Sequence, residues 1–403
     1  MKDFGSDAQD GCFLLPGEAA LTVSVLRRGE IDAGFRAAWR ALDDDLELPN
    51  PFFSEWFLGP ALAHLDPGDT VRLCAVTRGD GALVALFPFE IGMRYARLPL
   101  RHVSVWRHAH GYDGTPLMKR GYGLVAFAAI LHWLDGRPGG ARFLRLTHLP
   151  YEDAMRAIVD DACALADRAP REQSRIERAV LPHGGDFEGM MAEAMPGKKR
   201  KELRRQERRF GELGSARFID LPTSDPAIAQ AAEDYIALEN AGWKAAAAHG
   251  EPLARSEAEC AFFKEAMQNG AREGAVSCLA LALDLDMVAM LFCLRSGTRL
   301  SAFKTSYDER HAVWSPGMRL LMEATRRALT EPGCASIDSC ARPGHPVVDR
   351  LWPARMPVVQ LNIPTRHARD AALLDLAGRI ERAKQTLLER HDAPSPPSSP
   401  TAE

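Results

Sequence analysis

Two apolar stretches with strand periodicity stand at corresponding places in the two halves of the chain. Residues 71–90 read VRLCAVTRGDGALVALFPFE, two strand-like runs around Gly79-Asp80-Gly81, which predicts a hairpin. Residues 276–295 read VSCLALALDLDMVAMLFCLR, again two apolar runs around an Asp-Leu-Asp turn, starting 205 residues later. The elements after each hairpin also match in kind. The first half continues with a strand at 98–105, a polar loop, an apolar helix at 122–134 and a strand at 142–147. The second continues with a strand at 299–304, a loop at 305–314, a helix at 315–329 and a strand at 335–338. Such an echo predicts a duplicated α/β unit, each copy a mixed sheet flanked by helices.

Length supports this organisation, because 403 residues exceed one ordinary core. We expect a flexible N-terminus at 1–20, a first lobe at 21–182 and a second lobe at 183–365 that begins with a basic helix. A C-terminal helix at 366–392 and a disordered Pro/Ser-rich tail at 393–403 complete the chain. The boundary falls where LPHGGD interrupts the apolar pattern.

Composition narrows the function classes. Net charge is −4, so the molecule as a whole has no nucleic-acid-binding field, and any basic site is local. The eight cysteines include no C-x-x-C pair, and Cys278 and Cys293 lie inside strand patterns. That usage fits reduced thiols in a cytoplasmic protein better than a disulfide framework or a metal site. The N-terminus is polar and acidic, unlike a signal peptide, and the apolar run 125–134 is too short to span a bilayer.

Four polar segments carry candidate chemistry. Residues 197–209, GKKRKELRRQERR, place eight cations against two acids on a predicted helix. This is either an anion-binding face or an ordinary solvated helix. Glu239-Asn240-Ala241-Gly242-Trp243-Lys244 ends a helical pattern, and Gly242 suits a left-handed stop. There Glu239 is a candidate base, while Trp243 and Lys244 either line a site or serve as a core anchor and a solvated charge. Phe303-Lys304-Thr305-Ser306-Tyr307-Asp308-Glu309 ends a strand, where ligands of α/β sheets tend to sit. It precedes Ser315-Pro316-Gly317-Met318-Arg319, which predicts a helix start with Ser315 as N-cap and free N–H groups facing a phosphate. The same run also reads as a plain capped helix. Lastly, Asp338, Cys340 and His345 lie in a strand-to-loop segment; no fixed spacing supports covalent catalysis, and His345 is the better proton-transfer candidate.

Taken together, K-K-R-K-E-L-R-R, E-N-A-G-W-K, F-K-T-S-Y-D-E with S-P-G, and D-S-C-A ending in H-P-V-V-D-R-L-W resemble the CelD/BcsL-like cellulose-biosynthesis-associated acetyltransferases. These form a branch of the GNAT superfamily that is also similar to Fem-type transferases. Asn50-Pro51-Phe52-Phe53 resembles a segment of the same family. The resemblance implies tandem GNAT-like lobes, acetyl-CoA or another acyl-CoA as donor, no metal, and transfer to an amine or hydroxyl of a small or glycan-related acceptor. Glu239, Lys304, Tyr307, Asp308 and His345 would be catalytic. Ser315, Gly317, Met318 and Arg319 would face the coenzyme, and Trp243, Lys244, Asp338 and Cys340 the substrate. The Arg/Gln-x-x-Gly-x-Gly/Ala phosphate loop of ordinary GNAT proteins is replaced here by Ser-Pro-Gly-Met-Arg-Leu. Two alternatives stand beside this reading: a Fem-like transferase drawing on aminoacyl-tRNA, and a non-catalytic accessory of polysaccharide synthesis.

Overall fold

A computed structural model describes residues 11–13, 20–242 and 252–392. Fourteen strands form one mixed sheet. In the first half these are β1 (Gly11–Phe13), β2 (Leu21–Leu26), β3 (Arg72–Arg78), β4 (Leu83–Gly92), β5 (His102–Val105), β6 (Leu117–Met118), β7 (Phe143–Pro150) and β8 (Arg171–Pro182). The second half supplies β9 (Ala216–Leu221), β10 (Val276–Leu283), β11 (Asp286–Ser296), β12 (Arg299–Tyr307), β13 (Ser336–Asp338) and β14 (Arg355–Pro364). Their spatial order is β1-β2-β3-β4-β5-β7-β14-β8-β13-β12-β11-β10-β9, with β6 against β4.

That order reads the same from both ends. β2-β3-β4-β5-β7-β14 and β9-β10-β11-β12-β13-β8 share one pattern of pairing: antiparallel three times, then parallel, then antiparallel. The two hairpins therefore occupy equivalent places. Each even carries the same irregularity: the register shifts at Val76/Thr77 in one and at Leu281/Ala282 in the other, leaving Val84 and Val288 as the extra residues. The expected duplication is present in the fold.

The halves are less separate than two lobes with their own sheets. Each gives its last strand to the other: β8 pairs with β13, and β14 with β7, while β8 and β14 pair with each other. The main apolar core therefore spans both halves, with Phe52 and Phe57 of the first packed against Phe262 and Phe303 of the second. Edge-on ring contacts of this kind add about 0.5–1.5 kcal/mol each beyond the area they bury.

Local differences from the sequence expectation are small. β12 runs on to Tyr307 because β11 continues opposite it, with Ala289 facing Tyr307. Residues 305–307 are thus strand rather than loop, as their β-branched and aromatic side chains allow. The basic segment is a helix, Gly197–Gly211, held by buried Leu203 and Phe210. Cys74, Cys163, Cys260, Cys278, Cys293, Cys334 and Cys340 are free thiols.

Candidate active site

The sheet opens in its second half. β12 pairs with β13 only from Arg299/Ser336 to Ser301/Asp338, and then continues alone on that side. Just past the parting, the β11 register shifts between Phe292/Lys304 and Cys293/Ala302, so Phe303 bulges out of the ladder. A bulge leaves backbone polar groups unpaired and re-aims the following side chain. Phe303 turns inward, ringed by Phe57, Phe263 and Tyr112. Lys304 is half-buried, with its ammonium 5.7 Å from the Phe303 ring centre.

The helix Pro316–Ala328 begins beside this opening. Ser315 stands at its N-cap position but in left-handed geometry (φ 52°, ψ 50°), and its side chain does not cap. The hydroxyl instead donates to Gln206 Oε1 of the basic helix at 3.2 Å. The expected Ser315 cap is therefore corrected: no side chain caps the first-turn N–H groups, the arrangement an anion uses. Gly317 is explained by packing, since a Cβ there would lie 3.1 Å from Tyr307 Cδ1. Met318 points into the core, so its side chain is structural. Arg319 is buried, its guanidinium carbon 4.8 Å from the Phe210 ring centre and its Nη2 3.5 Å from Glu207. Its Nη1 is buried without a hydrogen-bond partner, and burial lowers its pKa.

The remaining sequence candidates fall into two groups. Asp308 accepts from the Arg310 backbone N–H at 2.9 Å and pairs with its guanidinium; hydrogen bonding to Arg310 lowers its pKa. It is the cap of the turn Glu309–Trp314 rather than a free base. His345 is exposed and its Nδ1 accepts from the backbone of Val347 and Val348 at 3.3 and 3.2 Å, so it too is a local cap. Trp243 and Lys244 lie outside the described residues. Glu239, by contrast, is buried and accepts from the Tyr235 hydroxyl (3.1 Å) and the Leu253 N–H (3.0 Å). Asp338 is buried in an ion pair with Arg178 at 2.8 Å. Burial raises the Cys340 thiol well above its ordinary pKa, which argues against a nucleophilic thiolate.

Several residues that the sequence reading did not choose complete the site. The first-half loop 107–115 reaches across to these strand ends. Asn50 of the Asn-Pro-Phe-Phe segment seats it by donating to the Thr115 carbonyl at 2.7 Å, and Arg178 holds the Tyr112 carbonyl at 2.9 Å. His108 and His110 pack on Phe262, with His110 stacked at 5.6 Å between ring centres. His110 is buried, both ring nitrogens lack a hydrogen-bond partner, and its Nε2 lies 3.6 Å from Glu259. Burial first, then the charge of Lys304, pushes its pKa down to about 2; burial, Arg107 and Lys304 push His108 to about 3. Both rings are neutral at working pH. The sequence signal was the polar run HAHGYDGTP between apolar elements, visible but without a partner in view.

Residues 197–344 match the family model of the acetyltransferase (GNAT) domain. This span includes the parting strands, the uncapped helix and the basic helix, so the second half carries a GNAT-type acetyltransferase domain. No curated protein matches the chain. Among solved structures, the chain is similar to a conserved protein of unknown function from Bacteroides thetaiotaomicron VPI-5482. That match has 12% identity and a TM-score of 0.51, covering 83% of this chain and 98% of that one. It is also similar to FemX, at 9% identity and a TM-score of 0.50, covering 81% and 95%. At these identities the likenesses describe the fold alone. No group of side chains among the described residues could hold a metal ion, and no described helix is long and apolar enough to cross a membrane.

Proposed function

We propose that the protein is an acyl-CoA-dependent acyltransferase working by direct transfer to an amine or hydroxyl. The observation that carries this reading is the parting of β12 from β13 beside the uncapped N-terminus of the helix Pro316–Ala328. The donor's thioester lies in the opening, and its pyrophosphate meets the first-turn N–H groups near Arg319. The acceptor's nucleophile attacks the thioester carbonyl. The tetrahedral oxyanion is held by backbone N–H at the Phe303 bulge, and collapse expels the CoA thiolate, which ends protonated as the thiol. Lys304 and Tyr307 line the opening, while neutral His110 accepts a hydrogen bond from the acceptor's nucleophile. Glu239 positions Tyr235 and the Leu253 turn; Asp308 and His345 keep their capping roles. A link to cellulose or exopolysaccharide metabolism, as in the CelD/BcsL-like proteins, belongs to the same reading.

One observation favours the Fem-like alternative. Lys198, Lys201, Arg204, Arg208 and Arg209 are exposed on the basic helix and form no ion pair with a described residue. Such a face suits RNA phosphate as well as coenzyme phosphate. A thermal-shift screen separates the readings, because a ligand of the native state raises apparent stability. Stabilisation by acetyl-CoA or longer acyl-CoAs supports the first reading, and salt-sensitive stabilisation by tRNA supports the second. A flat response to all of them leaves the accessory role.

A further inference from the structure

The seam between the halves holds more cation than its partners satisfy. Arg178, on β8, is buried; its Nη1 donates to Asp338 and its Nη2 to the Tyr112 carbonyl, but its Nε is buried without a partner. Next to it, His148 on β7 is held at φ 53°, and its carbonyl accepts from the Gly114 N–H at 2.9 Å. A Cβ on Gly114 would meet the Thr147 carbonyl at 2.0 Å, so loop and strand touch directly here. The His148 Nδ1 is also buried and unpartnered. Cys340, opposite, is likewise left-handed at φ 53°. Non-glycine residues in that region store strain, which concentrates at functional sites.

Two arginines complete the cluster. Arg107 leads into the loop, and Arg342 follows Cys340 by two residues. Both are exposed, and neither forms an ion pair or side-chain hydrogen bond. Arg107 lies against Gly111, its γ-carbon 3.5 Å from where a Cβ there would stand, next to the Tyr112 carbonyl that Arg178 holds. Arg342 follows the turn at 338–340, whose Asp338 takes the other arm of Arg178. In keeping with that placement, burial first and then the charges of Arg107, Arg178 and Arg342 push the His148 pKa down to about 4. Of the carboxylates at hand, Asp338 is committed to Arg178 and Cys340 N–H, and Asp113 to the Thr115 N–H. Of the three guanidiniums, only that of Arg178 is therefore paired with a carboxylate of a described residue.

We propose that Arg107 and Arg342, with Arg178 and His148 beside them, bind a carboxylate or phosphate group of a small molecule. Paired guanidiniums suit both anions through forked hydrogen bonds. Resting on the acyltransferase reading, this makes the acceptor an anionic small molecule, such as an amino acid with an acidic side chain or a sugar phosphate. It would be held by its charge while its amine or hydroxyl meets the thioester.

Calorimetry at fixed ionic strength tests this with glutarate and glucose 6-phosphate, against glutaramide and glucose as their uncharged counterparts. We expect one anion to bind at least tenfold tighter than its counterpart. The Arg107→Ala/Arg342→Ala variant, altered only at exposed positions, should lose that preference while keeping its melting temperature and its acetyl-CoA affinity. Glutarate as the binder assigns a carboxylate, and the sugar phosphate a phosphate. Equal binding of charged and uncharged probes, or an unchanged preference in the double variant, overturns the site. An intact anion preference in a protein that takes up no acyl-CoA keeps the site and removes the acyl-CoA reading.

Discussion

Arg178 and Asp338 form a buried ion pair at 2.8 Å between the last strand of the first half and the shortest paired strand of the second. Removing one partner leaves an uncompensated buried charge, which costs about 3–5 kcal/mol. Asp338→Ala should therefore lower unfolding stability in urea by that order. Arg178→Met/Asp338→Leu should be less damaging than Asp338→Ala alone, because no buried charge remains.

His110 makes a pH prediction. Its folded pKa, about 2, lies below the ordinary value of 6.5, so the unfolded chain binds the proton first as pH falls. The stability associated with the neutral ring is present above pH 6.5 and is lost as pH falls toward the folded value. Between pH 7 and pH 5 that loss is roughly 2 kcal/mol. His110→Phe keeps a ring against Phe262 and removes the titration. Its stability relative to the natural protein should improve by about that amount over the same interval, measured by urea unfolding at both pH values.

Lys304, Tyr307 and Asp308 are close in sequence but should separate in experiment. Lys304→Ala and Tyr307→Ala should abolish turnover while the protein stays folded. Asp308→Ala removes a cap and should cost about 1 kcal/mol of stability with acyl-CoA binding retained. Turnover assays beside thermal melts make the distinction; full activity in the Lys304 and Tyr307 variants would place the chemistry elsewhere.

The basic helix is tested by charge reversal. Changing Lys198, Lys199, Arg204 and Arg205 to Glu should shift stability by no more than about 1 kcal/mol, since exposed charges contribute little. Affinity for acyl-CoA or tRNA should fall and lose part of its salt dependence. Unchanged affinity for both, by fluorescence titration at two salt concentrations, makes the helix a solvated face.

Hairpins, helices and the duplication were legible because they are written in short-range periodicity: the apolar runs at 71–90 and 276–295 repeat even the bulge that Val84 and Val288 occupy. The exchange of β8 and β14 was not, because each pairs with strands of the other half and the choice of partner leaves no local trace. The site divides the same way. Lys304, Tyr307 and the Ser315-Pro316-Gly317 start could be read from strand end and helix start. The Ser315 side chain could not, since its bond goes to Gln206, more than a hundred residues earlier. Asp308 and His345 looked free in sequence but are taken by backbone two and three residues away. His110 and Arg107 became visible only when the fold brought their loop onto the second half.

The central claim is that an acyl donor sits between β12 and β13 at the start of the helix Pro316–Ala328. Hydrogen–deuterium exchange with and without acetyl-CoA tests it most directly. The account predicts slowed exchange in peptides within residues 302–320 and in the basic helix Gly197–Gly211, with the equivalent first-half segment around residues 104–126 unchanged. No protection anywhere, or protection in the first-half segment alone, would contradict it.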